Sequence, residues 1–535
     1  MSVSGTYRNP ILPGFNPDPS IVRIGPDFFC VTSSFEYFPG CPIYHSRDLV
    51  VWTLIGHALT RRSQVDIKTP EPGGGVWAAT LRWHDGVFYV VTSCFDRYRP
   101  QDDDRVWPRG FYVTTTDIWK GQWSEPVWLD QVGFDHDLFW DDDGTVYLSS
   151  TYRKMEREAT SKLKDFAVHI STVDLQTGRL TCAPRLVRES SSGVAEGSHL
   201  FKRNGWYYLF TAEGGTESGH CEYVSRSRDG PFGPWEMAPH NPLWKNTVSD
   251  EVQNTGHCDL VEDQEGQWWA LCLGVRPCKT GGSWRRSVFG RESFLIPVRW
   301  DGDWPTFNEG RSLALEMTGP GKYVAEDVQK WRDEFVGSHL GLGWYRKNTP
   351  YIEDVSLVEK PGHLTLHGSP YNLSSPAAPT MVLRKQRHWP VTWETQLDFQ
   401  PRSTRVEAGT TAYWNYTCFA SIGIRATHQQ QKLTRIVRFT PPTGQGDAVE
   451  MSISNRAIVR LIIDCQADAY RFGFRDVDTH GDTESTTWLG RVETQVLTRD
   501  PAIGAPFTGM TLGLYAFGDL EPVLSPAHFA FAEFR

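Results

Sequence analysis

No two cysteines in this 535-residue chain are spaced as Cys-x-x-Cys, and no run of about 18 apolar residues occurs. The first absence removes zinc-ribbon and dithiol motifs. The ten cysteines are scattered, at 30, 41, 94, 182, 221, 258, 272, 278, 418 and 465, which reads as buried free thiols rather than a disulfide framework. The second absence leaves no segment to cross a membrane as a helix. Positive charge is also in deficit, with a formal net charge of -10. Phosphate binding needs a basic surface, so nucleic acid is not an expected partner, and anionic membranes and acidic polysaccharides are disfavoured too. A neutral ligand fits best. Met1–Arg8 lacks an apolar core of the signal-peptide kind, so the expectation is a cytoplasmic protein. Helical patterns of a length comparable to the strand repeats of the first 310 residues are absent as well.

Aromatic residues are plentiful: 22 Trp, 28 Phe and 19 Tyr. Sheet cores bury many aromatics, and sugar clefts set aromatic faces against pyranose rings; composition does not separate the two. With 39% hydrophobic and 22% charged residues the balance is that of a folded globular chain, and its length predicts two domains.

Self-similarity organises the first 310 residues. Five segments share one plan: a polar or aromatic residue, a short strand, a Gly-containing turn and an aromatic strand. Asp18 leads to Ile21 and then Phe28-Phe29. Trp77 leads to Leu81, Asp85-Gly86 and Phe88-Tyr89. Asp135 leads to Leu138, Asp143-Gly144 and Val146-Tyr147. Glu196 leads to Leu200, Asn204-Gly205 and Trp206-Tyr207. His257 leads to Leu260, Glu265-Gly266 and Trp268-Trp269. Asn-Gly and Asp-Gly turns between alternating runs signal hairpins, and two strand pairs per repeat of about 60 residues make a propeller blade. Residues 1–320 are therefore expected to form an all-β, five-bladed β-propeller.

In a propeller the first strand of each blade lines the central channel. Asp18, Trp77, Asp135, Glu196 and His257 stand three or four residues before the Ile or Leu of that strand, so all five are expected to converge on one axial pocket. Recurring turn residues are the plainer explanation, but they account poorly for a Trp and a Glu in the same slots. Acetal hydrolysis needs two carboxyl groups, one to protonate the leaving oxygen and one to activate water or attack carbon. A third can raise the acid's pKa by like-charge repulsion. Placement on different blades permits the wider separation of an inverting pair, on the order of 6.5–9.5 Å. Position alone does not say which group is acid and which is base. Asp137 and Asp141–Asp143 read as solvated turn residues without EF-hand spacing, and Asp102–Asp104 as an exposed loop.

The segments Asn9-Pro10-Ile11-Leu12-Pro13-Gly14-Phe15-Asn16-Pro17-Asp18-Pro19-Ser20, Ser34-Phe35, Gly75-Val76-Trp77-Ala78, Gly133-Phe134-Asp135, Glu196-Gly197 and Thr211–Thr216 together resemble glycoside hydrolase family 43, in particular its β-xylosidases. The resemblance runs the length of the chain. It implies Asp18 as general base, Glu196 as general acid and Asp135 as the carboxylate that tunes and orients the acid. It further implies Phe35, Trp77, His257 and Arg291 around the sugar, with Thr216 and Phe507 as further candidates. Arg291 has a second reading, as the structural partner of a channel acid. His257 is either a satisfied channel histidine or a ligand for an axial cation such as the calcium of some relatives; no cofactor is otherwise required. Ala79, Ser198 and Cys258-Asp259 depart from the family's usual residues and bear on the shape of the subsite.

The repeat stops after Gly319-Pro320-Gly321. Residues 321–332 read as a linker, and 333–535, with short alternating runs such as Trp393–Phe399 and Met510–Leu514, as a β-sandwich. This part resembles the concanavalin-like module of the same xylosidases. Two roles stand open for it: carrying Phe507 toward the pocket to enforce exo action, or serving structure and homo-oligomer formation. The nearest rival function is an α-L-arabinofuranosidase, or an enzyme with both activities. A retaining fructan-type enzyme does not match Asn16-Pro17-Asp18-Pro19, and a non-catalytic sugar-binding propeller would lack a channel carboxylate.

Overall fold

The computed structural model describes residues 5–95, 108–154, 165–280, 282–319, 330–455, 458–477, 485–501 and 504–535. Among these the only helical elements are two short 3-10 turns, Asn308–Gly310 and Val496–Thr498. The chain divides into two compact units. The first comprises Met1–Ile67, Gly74–Pro277 and Arg291–Tyr323; the second Lys68–Gly73, Cys278–Gly290 and Val324–Arg535. Two short excursions from the N-terminal region thus belong to the C-terminal unit, which a single boundary near residue 320 does not foresee.

The first unit carries five antiparallel sheets in sequence order. Their innermost strands are Ser20–Ile24 (blade I), Gly75–His84 (II), Phe134–Trp140 (III), Ala195–Arg203 (IV) and Gln253–Glu262 (V). These strands contact one another in a closed ring, blade V meeting blade I, which makes the unit a five-bladed β-propeller. The hairpins form where the turn residues accept left-handed backbone. Asp85-Gly86 and Asn204-Gly205 have positive φ at both positions and join directly paired neighbours His84 and Val87, and Arg203 and Trp206. An N-terminal strand, Gly5–Arg8, pairs with Glu316–Gly319 and clasps the ring shut. Asn9 seals the same seam, its amide donating to the Leu295 carbonyl at 3.0 Å and accepting the Leu295 N–H at 2.9 Å.

The second unit is a sandwich of two antiparallel sheets. One is built around Ala527–Phe534, Val391–Asp398 and Val459–Cys465, the other around Thr511–Gly518, Val406–Asn415 and Cys418–Gln429. Their inner faces bury Trp393, Leu397, Ile422, Ile463 and Leu514. The Trp393 indole N–H crosses this core to the Thr410 hydroxyl at 2.7 Å. Of the expected linker, residues 321–329 lie outside the described residues. Trp331 and Arg332, at its end, are already strand, paired with Phe534 and Glu533. All ten cysteines are free; Cys182 and Cys278 are half-buried and the rest buried.

Candidate active site

In or just before each innermost strand of the propeller stands a left-handed residue three positions before its Ile or Leu. These are Asp18 (φ 55°), Ala78 (33°), Asp135 (52°), Gly197 (58°) and His257 (55°). In blades II to V the same point is a bulge in the pairing with the second strand. The three-or-four spacing seen in the sequence is thereby resolved. Asp135 and His257 lie in the bulges themselves and Asp18 at the matching left-handed point just before the blade I strand, whereas Trp77 and Glu196 stand one residue before the left-handed position. Non-glycine residues held left-handed are strained, and such strain concentrates where side chains must be aimed.

Around the channel mouth the carboxylates lie within one network. Asp18 is buried, and its Oδ1 accepts from Arg291 Nη1 at 3.0 Å with His257 Nδ1 at 3.5 Å. Its Oδ2 accepts from the Ser33 hydroxyl at 2.5 Å. Burial alone would raise this carboxyl's pKa, but Arg291, His257 and Ser33 outweigh it and hold Asp18 well below the usual carboxylate range. Asp135 Oδ2 accepts the Gly197 N–H at 2.8 Å, so it grips the peptide that follows Glu196. Burial, with the negative field of Asp18, raises its pKa. Glu196, half-buried, is pushed up to about 8 by desolvation first and by Asp135 second. The sequence-based expectation had like-charge repulsion as the cause; burial is the larger one. His257 is raised to about 9: burial opposes its charge, and the bond to Asp18 together with the field of Asp135 overcomes that. At neutral pH Asp18 is therefore ionised, His257 is charged, and Glu196 keeps its proton.

The remaining expected residues of the first unit gather at the same mouth. Arg291 Nη1 reaches the Thr216 hydroxyl at 3.3 Å, and the guanidinium lies 5.3 Å from the Phe35 ring centroid. Of the two readings of Arg291, its pairing with a channel acid is the one the geometry contains, and that acid is Asp18. Trp77 is half-exposed and braced by Phe95 and Phe134 at 5.2 and 5.7 Å. Phe507 belongs to the second unit, half-buried, with its ring against Gly73.

One layer deeper, Asp137 corrects its reading as a solvated turn residue. It is fully buried, pairs with Arg82 Nε at 2.8 Å and accepts the Leu200 N–H at 3.0 Å. Arg82 also reaches Asp259 at 2.7 Å, Ser20 at 3.2 Å and His199 at 3.0 Å, so one guanidinium from blade II touches each of the other four blades. Asp141 is partly buried and held by Lys202 at 2.5 Å, while Asp142 and Asp143 are exposed. Asp102–Asp104 lie outside the described residues. An axial calcium does not fit this donor set. The channel acids Asp137 and Asp259 are already paired with Arg82, His257 is engaged by Asp18, and no group of three or more metal-ligating side chains occurs among the described residues. Sequence reasoning missed Ser33, which joins Asp18 to Ala78 of blade II, Arg82, whose partners come from other blades, and Glu222, whose buried Oε2 accepts the Cys258 N–H at 3.2 Å.

A closed five-bladed ring with three carboxyl groups of opposed titration at its mouth is the architecture of a carbohydrate-cleaving hydrolase. The chain belongs to glycoside hydrolase family 43: residues 7–305 match the Glycosyl hydrolases family 43 domain, and residues 332–535 match the Beta xylosidase C-terminal Concanavalin A-like domain. It is 34% identical to the non-reducing end alpha-L-arabinofuranosidase of Bacteroides ovatus, covering 99% of this chain and 95% of that one. It is 38% identical to the Xylan 1,3-beta-xylosidase of a Vibrio species, over 76% and 77% of the two chains. Among solved structures it resembles the xylan beta-1,4-xylosidase of Bacillus halodurans C-125, with TM-score 0.87 at 29% identity, covering 99% and 100%.

Proposed function

We propose that this family 43 enzyme is an inverting exo-glycosidase that removes terminal β-D-xylose from neutral xylo-oligosaccharides. The carrying observation is the split titration at one channel mouth: Asp18 held ionised, Glu196 held protonated. Asp18 takes a proton from water as the water oxygen attacks the anomeric carbon. Glu196 gives its proton to the departing oxygen as the glycosidic bond breaks. Asp135, through the Gly197 N–H, holds the Glu196 backbone in place. Arg291 and His257 are both spent on Asp18, so neither is set aside for an acidic substrate, which favours a neutral one. Xylose is favoured by the C-terminal match to a β-xylosidase domain and by the Vibrio and Bacillus relatives.

The Bacteroides ovatus relative supports a second reading, α-L-arabinofuranosidase activity at the same machinery. Initial rates on 4-nitrophenyl β-D-xylopyranoside and 4-nitrophenyl α-L-arabinofuranoside decide between them. A higher kcat/KM on the xyloside is expected; a preference for the arabinofuranoside overturns the xylose assignment.

A further inference from the structure

Ser33 has no side chain exposed to solvent, yet its hydroxyl sits at the junction of blades I and II. It accepts the N–H of Ala78 at 2.7 Å and stands 2.5 Å from Asp18 Oδ2. An amide N–H only donates, so the single hydroxyl proton of Ser33 is directed at Asp18. The chain Ala78 N–H to Ser33 O–H to Asp18 has one polarity, and it requires an acceptor at its end. A carboxylate is the strong acceptor; a carboxylic acid protonated on Oδ2 is a far weaker one.

The anchor of this chain is itself fixed. Ala78 is the left-handed residue of blade II, and the carbonyl of the same Trp77–Ala78 peptide accepts from Thr92 Oγ1 at 2.6 Å. The Ser33 backbone N–H is tied to the Pro17 carbonyl at 3.1 Å, one residue before Asp18. Blade IV repeats the arrangement without a relay: the N–H of its left-handed Gly197 binds Asp135 directly. In both places the N–H at a bulge is the donor that orients a carboxylate from the preceding or an adjoining blade.

We infer that Ser33 is the positioning residue for Asp18, transmitting the fixed Trp77–Ala78 peptide to the carboxylate that activates water. This rests on the proposed role of Asp18 as base. The other groups facing Asp18 are Arg291 and His257 in direct contact, with His220, Asp135 and Glu196 acting through their fields.

The test is Ser33→Ala in the full chain, assayed on 4-nitrophenyl β-D-xylopyranoside and on xylobiose, with Ser33→Thr as the hydroxyl-retaining control. Loss of a hydrogen bond to the charged form raises the pKa of Asp18, so the acidic limb of kcat/KM moves to higher pH, by about one unit. Looser aim of the base lowers kcat about tenfold while KM changes little, and equally for the good and the poor leaving group, because the acid is untouched. Threonine restores both. Wild-type kcat and an unmoved acidic limb in Ser33→Ala, with only a lower Tm, overturn the inference. Should the alanine variant fail to fold, Ser33→Cys, of similar size and weak as a donor, is judged by the same two readouts. Asp18→Asn separates the two layers of the claim. If it stays active, the base assignment falls and this inference with it; if it is inactive while Ser33→Ala is indifferent, the inference alone falls.

Discussion

At the scale of single residues, the proposed mechanism rests on three similar carboxyl groups held in different surroundings. Asp18 touches a guanidinium, an imidazole and a hydroxyl and stays ionised; Glu196 touches none of these and keeps its proton. Glu196→Ala should therefore cost several hundredfold or more in kcat on xylobiose and far less on 4-nitrophenyl xyloside, whose leaving group needs no proton. Equal losses on both substrates would remove Glu196 from the role of acid. The pH profile carries matching signs. With Glu196 as the proposed acid, activity is expected to be lost as pH rises through about 8. It needs Asp18 ionised, and because that pKa is depressed, the acidic limb lies below the ordinary carboxylate range. A profile of kcat/KM from strongly acidic to strongly basic pH should be broad, with its basic limb near 8. A basic limb shared by the Glu196→Ala variant would contradict the assignment.

At the scale of the element, the recurring unit is the left-handed residue at each inner strand, set in a bulge in blades II to V. Gly197 shows why residue type matters there. Its φ is 58°, and a Cβ would stand 2.8 Å from the His257 ring. Gly197→Ala is expected to push His257 away from Asp18 and twist the Glu196–Gly197 peptide, reducing kcat/KM at least a hundredfold, with a drop in Tm of several degrees. Wild-type activity in that variant would show that the backbone there is not under constraint. The hairpins were legible in the sequence because Asp85-Gly86 and Asn204-Gly205 declare their turn type. The bulges were legible only as an ambiguous three-or-four spacing, since Asp18, Asp135 and His257 carry no mark of left-handed backbone in their residue type. Asp137 was misread for a related reason. It lies two residues beyond a bulge and close to the acidic turn Asp141–Asp143, and nothing local reveals that a strand carries it inward.

At the scale of the molecule, one arginine joins the ring. Arg82 bonds Ser20, Asp137, His199 and Asp259, one from each of the other blades, at the floor beneath the catalytic layer. No local pattern announces this, because its partners lie as far away as residue 259. Removing one member of a buried charge network leaves its counter-charges uncompensated, at a cost of about 3–5 kcal/mol. Arg82→Met should accordingly be strongly destabilised in urea or thermal unfolding of the propeller. Adding Asp137→Asn and Asp259→Asn to it should recover part of that loss; a single variant as stable as wild type would mean that Arg82 does not tie the blades. The five repeats themselves, and the closed ring they form, followed from the hairpin spacing. The assignment of Lys68–Gly73 and Cys278–Gly290 to the sandwich unit did not, since neither segment differs in composition from an ordinary propeller loop.

On the proposed mechanism, with Asp18 as base and Glu196 as acid, water rather than a side chain is the nucleophile. Proton NMR of the first turnovers on 4-nitrophenyl β-D-xylopyranoside tests this directly. Inversion predicts α-D-xylose as the anomer that appears first, followed by slow mutarotation. β-D-xylose appearing first would mean a covalent intermediate, and would contradict the pairing of Asp18 as base with Glu196 as acid.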